Sequence, residues 1–341
     1  MFTACRHVML AFALVPLVVG CSGARQLEIF GQSMGTTYVV KVVAAPAALG
    51  GDALRARVES LLEDIDRQMS TYRQDSEISR LNRAPIGEWV RVSDGLHYVV
   101  SHALVLTKET DGAFDVTVGR LVSLWGYGPE PATSPPSAEA LREERQRVGP
   151  DALQARPSPP ALSRRRNVMI DLSAIAKGFA VDEVAQSLEE MGIERYLVEI
   201  GGELRVRGMN ADGLPWRVGV QVPSTAEFGT VQRAFSLIIG AMATSGDYRN
   251  FLVRDGVRYS HTIDPRTGYP THHELASVTV LEASAMVADA LATALYVMGP
   301  ERGMQYATRH AIAALFIIRR DGGFDEQSTS RFAELLSDRD N

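Results

Sequence analysis

Three segments of this 341-residue chain carry residues whose types and spacing could do chemistry. In the first, the apolar run Ala285–Met298 holds a single charge, Asp289, with Thr293 four residues further on. A carboxylate taken into an apolar helix is costly unless it is paired or neutralised. Residues four apart on a helix share a face, so the pair offers two hard oxygens of the kind that Mg²⁺ or Ca²⁺ takes. A cap on a neighbouring loop, or an arginine partner, would satisfy Asp289 as well.

The second segment is Asp171-Leu172-Ser173-Ala174-Ile175-Ala176-Lys177-Gly178, which reads as a strand end running into a helix start. Free backbone N–H groups and the helix dipole favour anions there, phosphate above all. Lys177 is one of only three lysines, with Lys41 and Lys108, against 32 arginines. It could neutralise a phosphate or be a solvated first-turn lysine. The third segment comprises Ala243-Thr244-Ser245-Gly246-Asp247-Tyr248 and His261-Thr262-Ile263-Asp264-Pro265-Arg266-Thr267-Gly268, two turn-rich stretches bracketing a hairpin. His261 could serve as a general base near neutral pH, and Thr244 and Ser245 could donate hydrogen bonds to phosphate. The second stretch could also be a plain Pro/Gly turn. There is no Ser-His-Asp spacing, no H-E-x-x-H and no P-loop.

The elements that must position these groups are mixed. Leu27–Val43 reads as a strand with a turn near its start, after Gly31 and Gly35. Asp52–Ser70 spaces Leu54, Val58, Leu61, Leu62, Ile65 and Met69 as an amphipathic helix. A second helix is expected over Gly95–Thr110 and a third before Trp125, then a strand over Val168–Leu172, a helix over Ser173–Met191 and a strand over Tyr196–Ile200. Further strands are expected near Trp216–Val222, Phe235–Leu237, Val257–Thr262 and Ala276–Leu281. Short connections favour antiparallel pairing in an α+β fold. Eight of the 16 prolines fall between Pro129 and Pro160, so residues 129–166 read as a solvated surface insertion.

Composition narrows the function classes. With 35 basic and 41 acidic residues and a formal charge of −6, the composition advertises no basic face for nucleic acid. Its two cysteines, Cys5 and Cys21, exclude a zinc ribbon, an iron–sulfur cluster and an internal disulfide framework. Arg6 and His7 precede an apolar run, Val8–Val19, too short to span a bilayer and of the length of a secretory signal. The run ends Val18-Val19-Gly20-Cys21, which resembles a bacterial lipobox. Residues 1–20 are thus expected as a signal peptide and Cys21 as the lipidated first residue, the alternative being ordinary cleavage beside an incidental cysteine; a tether (21–30), one domain (31–330) and a polar tail (331–341) follow.

Taken in order, eight motifs resemble those of the ApbE family, the FAD:protein FMN transferases, over roughly Gly31 to Gly299. They are Met34-Gly35-Thr36-Thr37-Tyr38, Ser70-Thr71-Tyr72 with Asp75-Ser76-Glu77, Gly112-Ala113-Phe114-Asp115 with Leu124-Trp125-Gly126, Asp171 to Gly178, Gly201-Gly202, Thr244 to Tyr248, His261 to Gly268, and Ala288-Asp289 to Thr293. The resemblance implies an ApbE-like fold and an Mg²⁺-dependent enzyme. Such an enzyme moves the FMN half of FAD onto a threonine or serine hydroxyl of an acceptor protein and releases AMP. It implies flavin and adenosine contacts from Met34, Tyr72, Ala113, Phe114, Asp115, Asp171, Lys177 and Ile263. It implies Mg²⁺ on Asp289 and Thr293 with the carbonyl of Ala174, where some relatives have threonine, and that of Ala292, where some have aspartate. His261 would take the hydroxyl proton, Asp264 would shape the turn, and Lys177 would lie near the phosphates. Family acceptors include subunits of sodium-pumping NADH:quinone oxidoreductase and Rnf-type complexes. With the lipobox this implies a lipid-anchored periplasmic enzyme, on the inner rather than the outer membrane. Two other activities fit the same motifs: an Mg²⁺-dependent FAD pyrophosphatase giving FMN and AMP, and a lipoprotein that binds FAD without turnover, against which the acidic Asp289 argues.

Overall fold

The computed structural model describes residues 24–337 apart from 47–48, 130–131, 133, 222–230, 248–250 and 255–256. The expected signal peptide, Cys21 and Tyr248 lie outside the described residues. The segment expected as one strand over 27–43 is a hairpin, β1 (Gln26–Ser33) and β2 (Thr36–Val43). Met34 and Gly35 both take positive φ (52° and 72°), the geometry of a tight two-residue hairpin turn. The tether therefore ends before Gln26, where the chain joins the sheet.

Helices α1 (Gly51–Met69), α2 (Glu77–Arg83) and α3 (Asp94–Glu109) follow, with the two-residue strand β3 (Val90–Arg91) between the last two. The apolar spacing of α1 buries Leu54, Val58, Leu62, Ile65 and Met69. Helix α4 (Gly119–Trp125) closes at Gly126, whose φ of 89° is left-handed.

The Pro-rich stretch is folded rather than a solvated loop. It forms α5 (Ala138–Arg145), β4 (Leu153–Pro157) and β5 (Pro160–Arg164), with Leu141, Leu153, Ala161 and Leu162 buried. Proline sits at strand ends and turns here, where no ladder N–H is needed. The expected strand over 168–172 is reduced to one bridge, Met169 to Val118, in extended chain. The helix expected from Ser173 begins at Ala176 as α6 (Ala176–Glu190). Asp171 Oδ1 accepts from the Ser173 amide at 2.8 Å and its hydroxyl at 2.6 Å, holding Ser173 in a turn before the helix.

The remainder is β6 (Tyr196–Ile200), β7 (Glu203–Arg207), β8 (Trp216–Gln221), β9 (Val231–Leu237), β10 (Ile239–Gly246), β11 (Phe251–Arg254), β12 (Val257–Ser260), β13 (Leu275–Glu282), α7 (Ala285–Arg309), β14 (Ala313–Arg320), β15 (Gly323–Ser328) and α8 (Ser330–Ser337). Eight strands form one antiparallel sheet in the order β1-β2-β6-β7-β10-β13-β14-β15, so the fold is α+β as the spacing predicts. The β11–β12 hairpin lies where one was expected. The stretch 243–246, read as turn-rich, is instead the end of β10, paired to β13 and inside the sheet.

Side chains alternate across this sheet with period two. Ala314, Phe316 and Ile318 face α7, whereas Leu315 and Ile317 face the β8–β9 hairpin. The expected polar tail begins as α8, whose Phe332 is buried edge-on to Phe235 at 5.4 Å. Helix α7 breaks at Gly299 (φ 79°), just before Pro300, which has no N–H to continue the ladder. Among the described residues no helix is long and apolar enough to cross a membrane.

Candidate functional site

Six segments deliver polar groups to one end of the main sheet. The starts of β2 and β7, the Gly201-Gly202 turn after β6, the end of β10 and the first turns of α6 and α7 surround a cleft of about 1450 Å³. That exceeds the ~300–1,000 Å³ of ordinary small-molecule pockets and suits an extended ligand.

The electrostatic centre joins two helices and a strand. Lys177 Nζ lies 3.4 Å from Glu203 Oε1 and 3.7 Å from Asp289 Oδ2, and donates to the Ser173 carbonyl at 3.4 Å. Asp289 Oδ2 also accepts the Gly178 amide at 3.1 Å. One turn along α7, Thr293 shares a 3.1 Å hydrogen bond with Ser245 on β10. The close approach of α6 and α7 depends on Gly178, since a Cβ there would lie 2.2 Å from the Ala285 carbonyl oxygen.

Burial sets the protonation balance. Desolvation raises the pKa of Asp289, and Lys177 and the Gly178 amide only partly offset it. Glu203 is pushed up to about 8 by burial, with Lys177 opposing the shift and the Asp289 charge adding to it. Burial disfavours the Lys177 ammonium, but the two carboxylates outweigh that and hold its pKa above the ordinary value. Two buried acids thus share one ammonium. Glu203, 4 % exposed, keeps its Oε2 without a hydrogen-bond partner among the described residues.

A divalent cation fits this donor set, because it would favour the ionised form of the buried acids and use hard oxygens. Among the described residues no cluster of three or more His, Cys, Asp and Glu side chains could hold a metal. Asp289 would therefore be assisted by the hydroxyls of Thr293 and Ser245 and by Ala174 in the Ser173–Ile175 turn, all of which line the cleft.

Other expected residues also line the cleft: Met34, Tyr72, Ala113, Phe114, Asp115, Asp171, Thr244, His261 and Ile263. Their settings differ. Tyr72 is a rim residue, 67 % exposed, whose hydroxyl donates to the Tyr127 carbonyl at 3.2 Å. His261 lies edge-on to Tyr127, with ring centroids 6.3 Å apart. Asp115 is buried, accepts from the Thr117 amide at 2.8 Å and hydroxyl at 2.7 Å, and has its pKa raised by desolvation. Thr244 is tied to Thr279 at 2.8 Å.

Ala292 does not line the cleft. It is buried against the sheet, one hundred degrees around the helix from Thr293 at about 100° per residue.

Two residues were missed by sequence reasoning. Glu203 carried a signal, since it is an acid directly after Gly201-Gly202 at a position that alternation turns toward the helices. Asp182 carried none. Its carboxylate accepts the Ser284 hydroxyl at 2.7 Å and the Ala285 and Met286 amides at 3.0 Å, capping α7 from α6, and it pairs with Arg205 at 2.9 Å. Asp182→Ala should lower the unfolding free energy by ~2–3 kcal/mol, the scale of a lost helix cap plus a charged hydrogen bond, as read by urea denaturation. An unchanged midpoint would show that this cap contributes nothing.

The Glu203 shift also sets a sign. The folded state holds a proton that the unfolded chain releases near pH 4.5, so this group's contribution to stability falls as pH rises from there to about 8. In metal-free protein, Tm should decline over that window more steeply than in Glu203→Gln, and parallel profiles would contradict it.

A family model for the ApbE family matches residues 34–316. The FAD:protein FMN transferase of Vibrio cholerae is 45% identical over 97% of this chain and 99% of its own length. That of Haemophilus influenzae is 39% identical over 96% of each. Among solved structures, the flavin transferase ApbE from Vibrio cholerae superposes with a TM-score of 0.84 at 45% identity, covering 91% of this chain and 99% of that one. The Pseudomonas stutzeri flavinyl transferase ApbE, in its apo form, gives 0.84 at 40% identity over 92% and 97%.

Proposed function

This chain belongs to the ApbE family and is an enzyme of the FAD:protein FMN transferase class, and from that premise we propose that it performs Mg²⁺-dependent protein flavinylation. The acceptor's threonine or serine oxygen attacks the FMN phosphorus of FAD, the bond to the bridging oxygen breaks, and AMP leaves with that oxygen. The observation that carries this reading is the convergence of Asp289, Thr293, Ser245, Lys177 and His261 on one cleft large enough for a dinucleotide.

Each residue has a physical task. Met34, Phe114, Ile263 and the Tyr72 ring offer the soft, flat surfaces that flavin or adenine rings favour. Lys177, held by two acids, presents a fixed positive charge to the phosphates. A bound Mg²⁺ would neutralise phosphate oxygens and the developing charge on the leaving phosphate. His261 takes the acceptor hydroxyl proton. His261→Ala should therefore slow transfer by ~10²–10⁴-fold at saturating FAD, the range for loss of a general base; a full rate would reassign the base.

The lipobox at Cys21 supports anchoring on the periplasmic side of a bacterial membrane, with the inner membrane favoured. Subunits of sodium-pumping NADH:quinone oxidoreductase or Rnf-type complexes would then be within reach as acceptors. The test is incubation with FAD, Mg²⁺ and an acceptor carrying the flavinylation motif, read by intact mass. An FMN-sized adduct supports transfer, free FMN and AMP without adduct would mark a pyrophosphatase, and unchanged FAD a binding protein.

A further inference from the structure

We propose that the end of the main sheet opposite the cleft is a membrane-facing surface, with Leu214, Ile238 and Ile239 resting on the lipid that carries the chain's own anchor. The proposal rests on acylation of Cys21.

One row of paired residues crosses five strands at that end: Leu27 with Val42, Val42 with Tyr196, Tyr196 with Arg207, and Arg207 with Ile239. The chain enters the fold at this row, where the Arg25 carbonyl accepts the Ala44 amide at 3.0 Å. The loop bearing Leu214 is tied to the same place. The Val43 amide donates to the Arg195 carbonyl at 2.9 Å, Arg195 Nε donates to the Met209 carbonyl at 3.0 Å, and the Asn210 amide donates to the Leu214 carbonyl at 2.8 Å. Trp216 pairs with Leu237, which brings the chain before β8 beside the β9–β10 turn holding Ile238 and Ile239.

Leu214 is 60 % exposed, Ile238 36 % and Ile239 62 %. Single exposed aliphatics are ordinary; three gathered where the anchor enters are not. Beside them a hollow of about 580 Å³ is lined by Ile239, Leu335, Arg205, Arg207 and Arg331. Arg207 pairs with Glu189 at 3.2 Å and Arg331 with Glu334 at 3.4 Å. Apolar side chains next to arginines whose stems can lie along lipid are what an interfacial surface combines.

Chain length leaves little freedom. Cys21 is three residues from Ala24, which at ~3.3–3.6 Å per residue spans at most about 10 Å. A diacylglyceryl group on Cys21 therefore holds this end, and no other, against the headgroups. Ser245 lies six residues further along β10 than Ile239, about 20 Å at ~3.3 Å per residue. The cleft then opens away from the bilayer.

The test uses full-length protein purified from membranes and reconstituted in phosphatidylcholine–phosphatidylglycerol vesicles. With the signal removed and Cys21 acylated, an introduced cysteine is the only free thiol. Leu214→Cys and Ile239→Cys, each carrying an environment-sensitive fluorophore, should be quenched by shallow spin-labelled lipid at least twofold more than Tyr269→Cys, an exposed position on the cleft side. Intact mass of the same preparations reports the lipid on Cys21. An acylated protein whose labels are quenched no more than the control overturns the surface alone; an unacylated Cys21 overturns the anchor and the surface with it.

Discussion

Asp289→Asn is expected to cut FMN transfer by about a thousandfold or more, ~4 kcal/mol of transition-state stabilisation. The substitution is nearly isosteric, and the amide oxygen can still accept the Gly178 N–H, so the junction of α6 and α7 has no steric reason to move. What disappears is the buried negative charge that pairs with Lys177 at 3.7 Å and that a cation would need beside Thr293. Raising Mg²⁺ should not restore the rate, because the site then offers one carboxylate fewer to the ion. Transfer near the wild-type rate, with an unchanged Mg²⁺ dependence, would remove Asp289 from the reaction.

Gly178→Ala should damage both stability and activity, through geometry rather than charge. The added Cβ would meet backbone atoms only: the Ala285 oxygen at 2.2 Å, the Ala285 carbonyl carbon at 2.6 Å and Met286 Cα at 2.7 Å. Backbone cannot swing aside as a side-chain tip can, so α7 must shift by about an ångström. Overpacking of that kind costs ~1–3 kcal/mol, toward the upper end where only backbone can yield, and a 1 Å displacement of catalytic groups costs on the order of 10²-fold in rate. Asp289 rides on α7 and Lys177 on α6, so the shift falls directly on the distance between them. Gly51→Ala is the control, since nothing lies within 4 Å of a Cβ there and it begins α1. It should be neutral in both assays. Equal behaviour of the two variants would mean that the helix junction tolerates a methyl group and that the close approach is incidental.

The extent to which the site was legible varied with the range of the interaction. Asp289 and Thr293 were readable because helical spacing alone puts them on one face, and a lone acid in an apolar helix advertises a buried partner. Amphipathic α1 was readable for the same local reason, and α3 from Gly112, which follows its end. Ser245 was visible as a candidate, but its strand was not: small, polar residues such as Ala243-Thr244-Ser245-Gly246 resemble a turn until a neighbour supplies the ladder, here β13. The Pro-rich stretch misled in the same way, because proline marks breaks in local structure yet is compatible with the ends of β4 and β5.

By itself the sequence determined the α+β class, the acid and hydroxyl of α7, the lysine and glycine at the start of α6, the histidine segment and the order of motifs that marks the family. These are properties of spacing and residue type, which do not depend on what packs against them. Only the tertiary structure decided that Glu203 completes the charge centre, that Asp182 caps a helix beginning 103 residues away from it, and that Ala292 faces the core. Each depends on the approach of α6, α7 and β7, set by close packing and by the desolvation that packing imposes. Neither is encoded in the period of any one element.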